Sequence, residues 1–134
     1  MQNNSNSAKE WLEYAQEDFD VAKELFQLTR YRKVIFSCEQ ALEKLLKTIY
    51  IEKFDKLPPR THNIIHLSEL VDIKLEKAEK KFVNQMILHY IGSRYPDMEE
   101  VITQVFTKEK AEECLKETEK LWKKFYQKLK LKKS

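Results

Sequence analysis

The feature that most constrains the fold of this chain is its shortage of residues that break regular structure. Its 134 residues include one glycine and three prolines. So few breakers leave little room for the tight turns that a β-sheet protein needs. Lys, Glu and Leu, which are strong helix formers, dominate the remainder. The sequence therefore predicts an all-α protein, and its length suits a single domain with one core.

Apolar residues recur at helical spacing in five segments. The first helix is predicted to begin after an N-cap at Ser7 and to end near Leu28. Residues 1–6 are expected to be disordered, 7–130 to form the domain and 131–134 to form a basic tail. The other helices are predicted over Tyr31 to Phe54, about Ile64 to Val71 with Thr61 or Asn63 as cap, about Leu75 to Ser93, and from a Thr107 cap to about Lys130.

Charge is distributed unevenly along the chain. The segment from Thr107 to Ser134 has ten Lys and five Glu, whereas the whole chain has a net charge of only +3. This basic element is compatible with a polyanion partner. The favoured interpretation is nevertheless a solvated helix face, with lysines that complement the dipole at the helix C-terminus.

The two cysteines, Cys38 and Cys114, lie on apolar stripes and are predicted to be small core residues rather than a disulfide pair. The polar N-terminus lacks the apolar region of a signal peptide, and no apolar run reaches the length of a membrane span. We therefore expect a cytoplasmic protein without a membrane contact. His62 and His66 are four residues apart, but only Glu69 offers a third ligand, so neither a metal nor a cofactor is predicted.

The segment Gly92-Ser93-Arg94-Tyr95-Pro96-Asp97 departs from the helical pattern. Arg94 continues the buried stripe by spacing, and Pro96 ends the helix just after it. A buried arginine needs an anionic partner, since an unpaired buried charge is prohibitive. Two interpretations stay open: Arg94 contacts an anionic ligand, or it forms a structural ion pair. Residue chemistry alone favours the ion pair, with these candidate partners: Asp18, Glu39 and Glu43.

Four motifs together resemble the HEPN family of small prokaryotic helical proteins, in the family's order and over about residues 8–125. They are Trp11-Leu12-x-x-Ala15-x-x-Asp18-Phe19-x-x-Ala22-x-x-Leu25, the run from Cys38 to Lys47, Pro58-Pro59-Arg60-Thr61-His62-Asn63-Ile64-x-x-Leu67, and Arg94-Tyr95-Pro96-Asp97. The resemblance implies an up-and-down bundle of four or five helices and a homodimer. It also implies a minimal nucleotidyltransferase as partner, in toxin–antitoxin pairs.

Many HEPN proteins are metal-independent ribonucleases, whose signature is an arginine followed four to six residues later by a histidine. No histidine follows Arg94 as far as Val101, and His89, five residues earlier, is roughly 140° around the helix. The chain resembles instead the Arg-Tyr-Pro branch, to which nucleotide binding has been attributed. The resemblance therefore implies that Arg94 contacts a phosphate, helped by Lys44 or His62, while Tyr95 stacks on a base or packs.

Three functions remain in competition at this point. The favoured one is a non-catalytic module that binds a nucleotide or RNA, or pairs with a nucleotidyltransferase. The second is a ribonuclease toxin that uses Arg94 with a non-standard acid/base, such as His62. The third is a structural bundle that dimerises through surplus apolar surface on the second and fourth helices. Enzyme activity is left open, with binding favoured over cleavage.

Overall fold

The computed structural model of the chain describes residues 4–92 and 106–131, with side chains for residues 7–86, 88 and 106–131. Within these residues the chain forms five helices and no strand. The all-α prediction is therefore confirmed. The helices are α1 (Asn4–Gln27), α2 (Tyr31–Phe54), α3 (Ile64–Leu70), α4 (Lys77–Gly92) and α5 (Lys108–Tyr126).

The central helix of the bundle is α2. It packs against α1 along most of its length and also contacts α3, α4 and α5. Fourteen of its 24 residues are buried, more than one apolar face can supply, so α2 is surrounded on several sides. Its position also explains why polar residues of α2 are buried together with the apolar ones.

Local capping explains several helix boundaries. Thr29, with φ 61°, lies in the three-residue turn that joins α1 to α2 as an αα-hairpin. The end of α2 is marked by Asp55 in the left-handed region, with its N–H bonded to the carbonyl of Ile51 at 2.9 Å. Asn63 caps α3 by accepting from the N–H of His66, and Thr107 caps α5, as the sequence predicts.

Other boundaries differ from the sequence predictions. Helix α1 begins at Asn4, so residues 4–6 are helical and Ser7 lies inside the helix rather than at its N-cap. Helix α4 begins at Lys77, two residues late, although Leu75 is already buried at 4% exposure. The apolar pattern begins at Leu75 because this residue packs in the core, although it lies in the connection that precedes the helix.

The C-terminal end of α5 shows the clearest difference. The helix ends at Tyr126 rather than near Lys130, yet Leu129 is only 1% exposed. Glu52 on α2 accepts hydrogen bonds from the backbone N–H groups of Lys130 and Leu131 at 3.0 and 2.9 Å. Because Glu52 satisfies these donors, the chain packs along α2 without continuing the helical hydrogen bonds.

The core is apolar and contains both cysteines. Cys38 and Cys114 are free and buried, which confirms their predicted role as small core residues. A hydrogen bond with Cys38, together with burial, raises the pKa of the Cys114 thiol well above its ordinary value. The thiol therefore stays protonated.

None of the helices in the described part of the chain is both long enough and apolar enough to cross a bilayer.

Candidate functional site

A band of charged side chains is buried along α2. Glu39, Glu43 and Lys47 are only 3%, 2% and 7% exposed. They are spaced four residues apart, so they follow one another on successive turns of the same face. Acidic and basic residues are almost never buried this deeply unless they are paired. The partners of this band are therefore the first thing that a functional interpretation has to explain.

The central member of the band, Glu43, contacts two basic side chains. Its Oε1 lies 2.5 Å from Nδ1 of His62 and 3.9 Å from Nζ of Lys47. The Glu43 side chain is 3% exposed, whereas that of His62 is 70% exposed. The carboxylate thus lies under the surface and is covered by the imidazole. Among the described residues, no contact is found for the other ring nitrogen, Nε2. Such a pairing fixes the orientation of an imidazole ring.

The loop that carries His62 is held at both sides. The N–H of Thr61 donates to the carbonyl of Pro59 at 2.9 Å, and the N–H of Asn63 donates to the Thr61 hydroxyl at 3.2 Å. Directly after the cap residue, Ile64 is fully buried. His62 is therefore placed by a short ordered turn rather than by a free loop. An ordered backbone reduces the entropy that is lost when the imidazole is held against Glu43.

Helix α1 supplies the remaining partners of the band. The Nζ of Lys47 lies 5.5 Å from the ring centroid of Trp11, a cation–π contact. One turn earlier on α2, Nζ of Lys44 lies 2.6 Å from Oδ2 of Asp18, and both side chains are 26% exposed. Lys44 is thus the member of this group whose ammonium is most open to solvent. The side chain of Lys47 is less exposed to solvent than that of Lys44.

Glu39 has an unusual protonation equilibrium. Burial, and secondly the negative charge of Glu43, raise the pKa of its carboxyl from 4.5 to about 7. Its Oε2 accepts a hydrogen bond from the Gln40 side-chain amide at 2.7 Å, which opposes the rise. A carboxyl with this pKa exchanges its proton near neutral pH. Carboxyls with strongly perturbed pKa values are found preferentially at functional sites.

Comparison with known proteins assigns the fold to a family. The HEPN domain family matches residues 8–129, nearly the whole chain. The chain belongs to the HEPN domain family. The Methanocaldococcus jannaschii protein named "Putative toxin MJ1304" is 28% identical over an alignment, gaps included, of 134 positions, which covers 87% of this chain and 84% of that protein.

A solved structure has the same bundle. The crystal structure of TT1696 from Thermus thermophilus superimposes with a TM-score of 0.77 at 25% sequence identity. The match covers 92% of this chain and 99% of that one. The predicted resemblance to the HEPN family is therefore confirmed.

In this HEPN domain, some of the predicted site residues lie close together. His62 contacts Glu43, and Lys44 contacts Asp18, on adjacent positions of α2. Arg94 and Tyr95 lie outside the described residues, so the phosphate contact and the structural ion pair of Arg94 both stay predictions.

Sequence reasoning did not single out Lys47 or Trp11 as members of the site. In sequence, Lys47 stood out only as the last residue of the motif from Cys38 to Lys47 and by its position four residues after Glu43, a spacing that is as common on exposed faces. The side chain of His66 is exposed, and its backbone N–H serves the cap at Asn63. Among residues 4–92 and 106–131, no group of three or more His, Cys, Asp or Glu side chains has the arrangement of a metal site.

Proposed function

We propose that this HEPN protein binds the phosphate of a nucleotide at the α2 band and acts beside a minimal nucleotidyltransferase, in a cytoplasmic toxin–antitoxin type system. The observation that carries the proposal is the contact between exposed His62 and buried Glu43 at 2.5 Å. Together they present an oriented imidazole whose Nε2 is available to an anion. The name of the Methanocaldococcus jannaschii relative supports the toxin–antitoxin context.

The chemistry of the band suits an anionic ligand. His62 contacts a phosphate oxygen through Nε2, while Glu43 holds the imidazole ring in place from behind. Lys44, which is a quarter exposed, contributes a cation when it turns from Asp18 towards the ligand. Arg94 supplies a second cation, and Tyr95 stacks on the base.

Isothermal titration calorimetry with AMP, ADP and ATP tests nucleotide binding directly. We expect His62→Ala to weaken binding by about 10-fold or more, because a hydrogen bond to a charged group contributes roughly 1.5–3 kcal/mol. His66→Ala is the matched control: it removes another exposed imidazole four residues away and should leave the affinity unchanged. The absence of heat with all three nucleotides, in protein shown to be folded, would reject nucleotide binding.

The partner is tested separately. The neighbouring gene product should co-purify with the HEPN protein and should contain the motifs of a nucleotidyltransferase.

We also propose a homodimer, which buries exposed apolar residues of α2 and α4: Phe36 is 41% exposed and Leu88 is 67% exposed. Light scattering should give twice the chain mass, and Leu88→Lys should reduce it. A monomer at all concentrations would reject the dimer and would leave the proposal of nucleotide binding unaffected.

A second candidate function is metal-independent cleavage of RNA by a toxin. The same contact favours it, because a histidine held by a buried carboxylate is the usual arrangement of a general acid/base. Here His62 transfers the proton and Arg94 stabilises the phosphate charge.

Growth and RNA integrity after expression of the wild type, Arg94→Ala, His62→Ala and His66→Ala decide between binding and cleavage. We expect a toxin to lose its effect in the first two variants and to keep it in the third. Equal growth and intact RNA in all four strains, at equal expression, would reject cleavage.

A further inference from the structure

The two tryptophans of the chain have different surroundings. Trp122 on α5 packs against the hydrophobic core, and its ring centroid lies 5.3 Å from that of Phe19. Trp11 on α1 is partly exposed and does not belong to that core, and no aromatic ring of the described residues packs on it. Its ring faces a cation instead, because Nζ of Lys47 lies 5.5 Å from the centroid. A role in core packing therefore does not explain the indole at this position.

Tyr14 extends the aromatic surface of α1 towards solvent. It is 55% exposed, and within the described part of the chain it has no hydrogen bond or ring contact. Trp11, Tyr14 and Asp18 are three and four residues apart, so they lie along one face of α1. The first contacts Lys47 and the last contacts Lys44. Tyr14 therefore lies between the two points at which α1 meets the lysines of α2.

Trp11 is connected to His62 by a short series of contacts. The imidazole lies 2.5 Å from Glu43, Glu43 lies 3.9 Å from Lys47, and the Lys47 ammonium lies 5.5 Å from the indole centroid. Contacts of these lengths make the whole series comparable in length to one nucleotide. A phosphate at Nε2 of His62 thus leaves the base within reach of the aromatic surface that Trp11 and Tyr14 form.

We propose that Trp11 and Tyr14 form the subsite for the nucleotide base and that this subsite favours purines. The inference rests on the proposed function, since the phosphate has to lie at His62. Aromatic side chains stack on the faces of bases, and a purine covers more of two neighbouring rings than a pyrimidine does. Tyr95, which the proposed function also assigns to the base, takes the opposite face of the same base.

Calorimetry with AMP, CMP and ribose 5-phosphate separates the base from the phosphate. All three ligands carry the same monophosphate group, whereas only the nucleotides carry a base. We expect AMP to bind about 3-fold more tightly than CMP and about 10-fold more tightly than ribose 5-phosphate. Equal affinities for AMP and ribose 5-phosphate would overturn the base subsite and leave the phosphate site intact. Absence of heat with all three ligands would reject the proposed function, and the subsite with it.

Variants of Tyr14 test the subsite at an exposed position. We expect Tyr14→Ala to weaken AMP binding about 5-fold and to leave ribose 5-phosphate binding unchanged. Tyr14→Phe keeps the ring and should bind both ligands as the wild type does. Leu28→Ala is the matched control, because it removes another exposed apolar side chain, 64% exposed, directly after α1. Equal loss of both ligands in Tyr14→Ala, or equal loss of AMP binding in Leu28→Ala, would overturn the proposal.

Tryptophan fluorescence reports on the other half of the subsite. Trp122→Phe leaves Trp11 as the sole tryptophan of the chain. AMP should quench its emission and saturating ribose 5-phosphate should not, since quenching requires a base stacked on the indole. Unchanged emission at an AMP concentration that saturates the calorimetric signal would overturn the proposal.

Discussion

Two lysine–glutamate pairs with the same sequence spacing behave in opposite ways in this molecule. On α5, Lys116 lies 3.5 Å from Glu112, with side chains 71% and 50% exposed. On α2, Lys47 lies 3.9 Å from Glu43, with side chains 8% and 3% exposed. The first pair is solvated and screened by salt. In the second pair both ions are buried and depend on close partners, Glu43 on Lys47 and His62, and Lys47 on Glu43 and the Trp11 ring.

The difference comes from the neighbours of each helix rather than from the helices themselves. Helix α5 is amphipathic and keeps its charges on the solvent side, whereas α2 is enclosed by four other helices. Charges on α2 therefore reduce the stability of the fold, and an apolar residue of similar size would serve packing as well. Their retention beside an exposed histidine is what makes the α2 band a functional candidate.

The largest expected effect is the removal of Glu43. Glu43→Ala leaves Lys47 buried without its carboxylate and opens a small cavity, so we expect a loss of about 3–5 kcal/mol in unfolding free energy. Glu112→Ala, the control on α5, should lose less than about 0.5 kcal/mol beyond helix propensity. Urea denaturation of both variants measures the two values. Similar losses would remove the distinction between the two pairs.

The second effect is a pH dependence that arises from Glu39. Its pKa in the folded protein, about 7, lies above the unfolded value of 4.5, so its contribution to stability is fully present below pH 4.5 and is lost as the pH rises through 7. That loss amounts to about 3 kcal/mol at pH 8.

Glu39→Gln should therefore be more stable than the wild type at pH 8 and nearly equal to it at pH 4. Thermal unfolding across this range, with Glu112→Gln as the exposed control, measures the difference. Parallel curves for all three proteins would contradict the raised pKa.

The pair between Lys44 and Asp18 is intermediate in exposure and should be intermediate in energy. Both side chains are 26% exposed, and Nζ and Oδ2 are 2.6 Å apart. A double-mutant cycle with Lys44→Met and Asp18→Asn should give a coupling free energy of about 1 kcal/mol, reduced but not abolished in 1 M salt. A coupling near zero would mean that Asp18 does not hold Lys44, so that its ammonium is available to a ligand. That result would support the proposal of nucleotide binding.

Helical periodicity predicted most of the fold because each helix buries an apolar stripe at local spacing. The bounds of α2 and the caps at Asn63 and Thr107 followed from residues within a few positions of one another. The end of α5 did not, because it depends on Glu52, 78 and 79 residues away from the backbone groups that it binds.

The candidate site depends even more on distant contacts. In sequence, Glu39, Glu43 and Lys47 occupied the polar face of α2, and only the enclosure of α2 by its neighbours buries them. Likewise, His62 meets Glu43 across 19 residues, a contact that no local pattern specifies. Arg94, the residue that the sequence emphasised most, lies outside the described residues and stays a prediction.

The smallest expected effect tests the assumption on which the other predictions depend, namely that exposure decides the energy of an ion pair. A double-mutant cycle with Glu112→Ala and Lys116→Ala should give a coupling of no more than about 0.5 kcal/mol, and 1 M salt should abolish it. The same cycle on Glu43 and Lys47 should exceed it several-fold, because water cannot replace the lost partner there. If the exposed pair proved as strongly coupled as the buried one, exposure would not decide the energy of a pair on these helices. The inference from buried charge on α2 to a functional site would then lose its physical basis.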